Sequence, residues 1–223
     1  MEFMTPHELH VIWIIDSSSG MVGSKLQALN AAIRESIPAF REIADDHFPG
    51  HKMMMSAITY GTGARWHLGP TPIEIVSWPE LFDYGRSDAG AAFQLVELFL
   101  WRLRYLNVKW FSPEIIWVAS SEPTDHCKDQ MDALIALSRT FGATRLAISI
   151  GKDAPQDCLQ HFIDNPEIKP LTADRAWLLT RYIRIGDDEI PVSEKMEEVE
   201  EPKDKLLQAE LVPKNWTGGV GAF

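Results

Sequence analysis

Cysteine is scarce in this chain. Cys127 and Cys158 are the only two in 223 residues. That is too few for a disulfide framework, so the expected setting is reducing and cytoplasmic. Long apolar runs are missing too. HVIWIID is far too short to span a bilayer, and Glu97, Arg102 and Arg104 interrupt LVELFLWRLRYL. The amino terminus, MEFMTPHELH, has no basic region of the kind that opens a secretory signal. Basic clusters are absent as well, and the formal net charge is −11, which argues against a nucleic-acid partner. No G-x-S-x-G elbow is present, and Gly61-Thr62-Gly63 is too short for a phosphate-binding loop and lacks its lysine.

What the chain does have is alternation. HVIWIID (10–16), KMMMSAITYG (52–61), PEIIWVAS (113–120) and TRLAISIG (144–151) read as strands, mostly continuous and apolar, as strands buried on both faces are. Helical spacing falls on 24–46, 88–106 and 127–142, with a short helix near 155–164 and another over DRAWLLTRYIRIG. Ser24-x-x-Gln27 has the form of a capping box, and Pro38 is expected to bend the first helix. ARWHLG (64–69) follows strand 52–61 through Gly-Thr-Gly, which predicts a hairpin. Trp13, Trp101, Trp117 and Trp177 lie inside apolar patterns and are assigned to the core. The expected fold is a Rossmann-like α/β domain over residues 1–186. Its central sheet is mainly parallel with one antiparallel edge strand, and helices cover both faces. Residues 187–223 form an acidic linker and a tail whose end, LLQAELVPKNWTGGVGAF, regains apolar residues. Trp216 is the expected anchor if that end docks on its own domain or on a partner.

In such sheets the functional crevice lies at the carboxyl ends of the strands, where strand order reverses. Three segments fall there: IIDSSSGM, GRSDAG and VASSEPTD. An aspartate among hydroxyls at a strand end is a residue set suited to a divalent ion. Together these segments, with SAITYGTGARW and WPELFDYGRSDAGAAFQL, resemble a von Willebrand factor A domain. Within that superfamily they are most similar to the TerY-type proteins of bacterial tellurium-resistance and stress operons. The resemblance runs from about His10 to Gly186.

The resemblance implies a metal-ion-dependent adhesion site with ligands from three loops, and this chain departs from it. Asp16 and Ser18 match the first aspartate and serine, and Gly20 stands in place of the second serine. Ser87 stands in place of a threonine, and Ser120 replaces the second aspartate. Mg²⁺ needs carboxylate charge and near-octahedral oxygen coordination. The expectation is therefore a degenerate site without cofactor, whose face (Asp16, Ser18, Gly20, Ser87, Asp88, Ser120, Glu122, Asp125) engages a protein. Asp88 and Asp125 are each also explained as helix-start residues, Asp125 for the 127–142 helix. The alternative keeps Mg²⁺ on Asp16, Ser18 and Ser87 and binds an acidic residue of the partner. The resemblance implies a non-enzymatic scaffold whose partners are a protein kinase and a metal-dependent protein phosphatase. A different class, a serine hydrolase using Ser120 or Ser121 with Asp125 and His126, is the competing reading. Zinc on His126-Cys127 and Cys158-x-x-His161 has suitable atoms but awkward spacing.

Overall fold

The computed structural model describes residues 7–106 and 109–172. The expected helix at 174–186, the acidic linker and Trp216 lie outside these residues. Strand β1 (Glu8–Asp16) pairs in parallel with β2 (Lys52–Gly61) on one side and with β4 (Glu114–Ala119) on the other. Beyond β2 lies antiparallel β3 (Gly63–Pro72), and beyond β4 lie parallel β5 (Thr144–Ser149) and the two-residue β6 (Leu171–Thr172). The order is β3-β2-β1-β4-β5-β6, so strand order reverses between β1 and β4.

The apolar runs form the central strands because neither face meets water. Val11, Ile12, Trp13, Ile14 and Ile15 are all at most 1% exposed, as are Ile115 to Ala119. Burying each such side chain contributes about 1.5–3 kcal/mol. Helix α1 (Ser24–His47) packs Leu26, Leu29, Ile33, Ile37 and Phe40 inward and continues through Pro38. Its amino end departs from the capping-box expectation. Ser24 is already helical, Gly23 (φ 82) precedes it, and no side chain caps the helix. Helices α2 (Ala89–Tyr105), α3 (Lys128–Thr140) and α4 (Gln156–Ile163) contact one another in sequence. The right-handed crossover rule puts them on the face opposite α1. Trp117 anchors that face, stacking edge-on against Phe93 of α2 and Phe162 of α4.

Trp101 is 48% exposed on α2, against the expectation that it is core, whereas Trp13 and Trp117 are buried. β3 is longer than the 64–69 segment and reaches Pro72 past register shifts near Ala57. Arg145 of β5 is buried and spans α3 and α4. It donates to Ser138 Oγ (2.7 Å), to the Phe162 carbonyl (2.9 Å) and to Asp164 (2.8 Å), so it caps the carboxyl end of α4.

Glu114, first residue of β4, is 3% exposed, and its Oε2 has no hydrogen-bond partner. Burial pushes its carboxyl well above the usual range, against a smaller downward pull from Thr144. A carboxyl raised in the folded state contributes stability that is complete below its unfolded value. That stability is lost as pH rises through the folded value. The Glu114→Gln variant is therefore expected to match the native chain below about pH 4 and to exceed it increasingly above that. Melting temperatures taken from pH 4 to 9 measure the divergence. Parallel curves would show that Glu114 does not titrate across folding.

Candidate functional site

The carboxyl ends of β1 and β4 flank the point where strand order reverses, and Asp16 ends β1 there. It is fully buried, and its carboxylate accepts three hydrogen bonds. Oδ1 takes the Ser18 N–H at 2.8 Å. Oδ2 takes the Ser120 N–H at 3.1 Å and the Ser120 hydroxyl at 2.7 Å. The serine that replaces the second aspartate is thus a donor to the first. Where two carboxylates would repel unless a cation lay between them, a carboxylate and a hydroxyl attract.

The second loop is strapped to the first and to the β2–β3 hairpin. Tyr84 N–H donates to the Ser17 carbonyl (2.6 Å), Ser19 N–H to the Gly85 carbonyl (2.9 Å) and Asp88 N–H to the Gly61 carbonyl (2.9 Å). Gly61 has to be glycine, because a Cβ there would land on the Tyr84 carbonyl oxygen. The third loop joins through Thr124. Its N–H donates to the Ser87 carbonyl (2.8 Å), and its hydroxyl accepts from Ser87 N–H (3.1 Å) and donates to Asp88 Oδ1 (3.1 Å). Asp88 also accepts from the Gly63 N–H at 3.0 Å. That bond first, then Thr124 and Arg86, holds its carboxyl below the usual range.

Of the two expected helix-start residues, Asp88 is in place and Asp125 needs correction. Asp88 sits at the start of α2 but makes no capping bond to it, and ties the hairpin to the third loop instead. Asp125 does not cap its own following helix. It accepts from Gly90 N–H at 2.8 Å and caps α2, the neighbouring helix. Gly90 leaves the room for this, since a Cβ there would lie 2.8 Å from Asp125 Oδ2.

The structure therefore brings Asp16, Ser18, Gly20 and Ser120 into one cluster. Ser87, Asp88 and Asp125 form a second, bridged by Thr124, which the sequence did not single out. Glu122 belongs to neither: it is exposed and accepts from the Cys158 thiol at 3.7 Å. Ser121, a candidate nucleophile by sequence, stands beside the first cluster, and Lys25 and Tyr84, which carry no motif in the sequence, join the loops as well. The Lys25 ammonium donates to the Gly20 carbonyl at 3.1 Å, and Ser121 Oγ lies 3.5 Å from where a Gly20 Cβ would stand. Only SEPTD, a hydroxyl between two acids, gave any local hint of Thr124.

The Mg²⁺ set implied by the resemblance is Asp16, Ser18 and Ser87. Ser18 Oγ and Ser87 Oγ are buried without a hydrogen-bond partner, as leftover ligands would be. The rest does not fit the ion. One carboxylate remains, it already accepts three donors, Gly20 brings no side-chain oxygen, and Ser120 points its proton at Asp16. A hard dication that sheds water reluctantly needs more anionic charge than this. Among the described residues no group of three or more His, Cys, Asp or Glu is placed to hold a metal. Burial pushes the Cys127 thiol up to about 12, and burial together with Glu122 raises that of Cys158. His161 is engaged with Asp132 at 2.6 Å. Ser120 spends its hydroxyl on Asp16, and no imidazole is hydrogen-bonded to Ser120 or Ser121 among the described residues.

This topology and its crossing of loops over β1 and β4 define a von Willebrand factor A fold, and solved structures agree. A von Willebrand factor type A protein from Catenulispora acidiphila superposes with TM-score 0.56 at 14% identity, over 78% of this chain and 41% of that one. BatB from Bacteroides thetaiotaomicron, a conserved hypothetical protein, superposes with TM-score 0.52 at 12% identity, over 78% of this chain and 96% of that one. Proximal thread matrix protein 1 from the mussel byssus superposes with TM-score 0.51 at 14% identity, over 79% of this chain and 46% of that one. Its adhesion-site motif is occupied by zinc. The match spans under half the length of the first and third of these proteins. No protein-family model matches the sequence, and no curated protein sequence is similar to it. Among the described residues no helix is long and apolar enough to cross a membrane.

Proposed function

We propose that this chain is a non-enzymatic interaction module of a bacterial stress-response or defence system, and that its three-loop face captures a partner without a bridging metal ion. The observation that carries the reading is a polar rim on pinned backbone. Arg86, with its side chain 70% exposed, and exposed Glu122, Thr124 and His126 project from loops fixed to each other by main-chain bonds. Surfaces held this way lose little conformational entropy on binding. The resemblance to TerY-type proteins supplies the partner classes, a protein kinase and a metal-dependent protein phosphatase, and the scarcity of cysteine supplies the cytoplasmic setting. The inward-turned Ser120 hydroxyl gives the hydrolase reading no support.

The test titrates a purified protein kinase and a purified metal-dependent protein phosphatase of the classes the resemblance implies, one at a time, against the full chain in EDTA. Binding that survives EDTA and falls at least about tenfold, or about 1.4 kcal/mol, in an Arg86→Glu/Glu122→Lys variant is expected. Binding abolished by EDTA and restored by Mg²⁺ would instead favour the ion-dependent alternative. Binding to neither enzyme would remove them as partners.

A further inference from the structure

A second surface lies at the opposite end of the sheet from the three loops. A cavity of about 400 Å³ opens between the carboxyl half of α2 and the amino ends of β1 and β2, beside β3. Met54, Trp66, Leu95, Leu98, Phe99 and Leu106 dominate its wall. Of its lining, Leu98 and Leu106 are themselves 64% and 55% exposed, and Tyr105, 88% exposed, and Trp101 extend the apolar surface beyond it. Single exposed apolar side chains are ordinary, but a cavity continuous with four at the carboxyl end of α2 marks a binding surface.

We propose that this groove is the docking site of the chain's own segment 206–216, LLQAELVPKNW. The chain continues for 51 residues beyond Thr172, where β6 ends. That point is at the carboxyl end of the far edge strand, while the groove lies at the amino ends near β3. Six strands spaced at about 4.8 Å and a strand of nine residues put the two roughly 40 Å apart. The intervening stretch, 173–205, is long enough. Its 33 residues reach about 110 Å when fully extended, well beyond that separation. Tethering at this length gives an effective concentration in the millimolar range, so even a weak apolar contact is populated. The stretch just before the segment is net acidic, with Glu197, Glu198, Glu200, Glu201 and Asp204 against Lys203 and Lys205, and the groove carries both Arg102 and Glu8, so the match is chiefly apolar. Leu207 and Leu211 stand four positions apart in the sequence, and Leu206, Val212 and Trp216 supply the remaining apolar bulk to fill the cavity. The proposal is independent of the loop-face reading, because the two surfaces share no residue.

Hydrogen exchange on the full-length chain tests it, with sedimentation run alongside. Amides within 206–216 are expected to exchange at least about tenfold more slowly than an unstructured peptide. Leu98→Asp, an exposed position whose change leaves the core intact, is expected to release them, and Trp216→Ala to deprotect Leu98–Leu106 in return. Unstructured rates at 206–216, or protection that persists in Leu98→Asp, overturn the proposal. A dimer dispersed by Leu98→Asp while 206–216 stays unprotected assigns the groove to a second copy. Protection confined to residues 2–5 assigns it to the amino-terminal segment. Either of these results also overturns the proposal.

Discussion

Asp16→Ala is expected to destabilise the fold by about 3–5 kcal/mol, lowering the melting temperature by roughly 10–15 °C. The substitution strands three donors at once: the Ser18 N–H, the Ser120 N–H and the Ser120 hydroxyl. Each sits on a residue no more than 3% exposed, so water does not replace the lost acceptor. Stranding a buried donor costs about 1–3 kcal/mol, and the three share one loop junction, so their costs add incompletely. Asp16→Asn is expected to recover only part of the loss. Its amide nitrogen faces one of these donors in place of an accepting oxygen. Urea denaturation in EDTA measures both variants. A change under about 1 kcal/mol would mean that the carboxylate serves a ligand and not the fold, and the metal-free reading would fail.

The second large effect comes from rebuilding the missing ligands. In Gly20→Ser/Ser120→Asp, a second carboxylate enters where the Ser120 hydroxyl now lies 2.7 Å from Asp16 Oδ2. Two like charges about 4 Å apart repel by about 4 kcal/mol at an effective dielectric near 20. The variant is therefore expected to melt roughly 8–15 °C below the native chain in EDTA. The serine at position 20 is tight but feasible. Its Cβ would stand 3.3 Å from Ser120 Oγ and 3.6 Å from Ser18 Oγ, in backbone that is not left-handed. Mg²⁺ at about a hundred times its dissociation constant is expected to return about 2.7 kcal/mol to the double variant. The native chain should shift by less than about 1 °C under the same addition. A native chain that Mg²⁺ stabilises, with the effect lost in Asp16→Ala, would overturn the metal-free reading.

Local pattern carried much of the fold. HVIWIID, IIWVA and LAISI announce strands buried on both faces because their apolar residues run consecutively instead of alternating with polar ones, as a parallel sheet covered on both faces demands. Gly61-Thr62-Gly63 announced the antiparallel edge, since a three-residue turn between strands has room for nothing else. Helix ends were less legible. Ser24 has a capping residue's chemistry but lies one position too late, because Gly23 takes the φ of 82° that starts α1. Trp101 sat within an apolar pattern that a helix of this length presents on more than one face, and only packing shows which side meets solvent.

The three loops themselves were legible as sequence, since Asp16, Ser87 and Ser120 each follow a strand or open a helix. What each side chain does there was not. By sequence Ser120 is the loss of a ligand, whereas in the fold it is a donor to a carboxylate 104 positions earlier. Asp125 looked like the cap of the helix beside it, and instead caps one 35 residues upstream.

Sequence alone determined which residues are apolar, in what period, and which polar residues stand at strand ends. Those properties depend on neighbours along the chain, so they set the class of fold and the place of the site. Tertiary structure alone decided the hydrogen-bond partner of each buried polar group and the groove beneath α2. A buried carboxylate takes whichever donors the sheet brings to it, and that is a matter of strand order. The reversal between β1 and β4 sets Ser120 beside Asp16 and makes the pair a neutral-to-anion hydrogen bond in place of a two-carboxylate ion site.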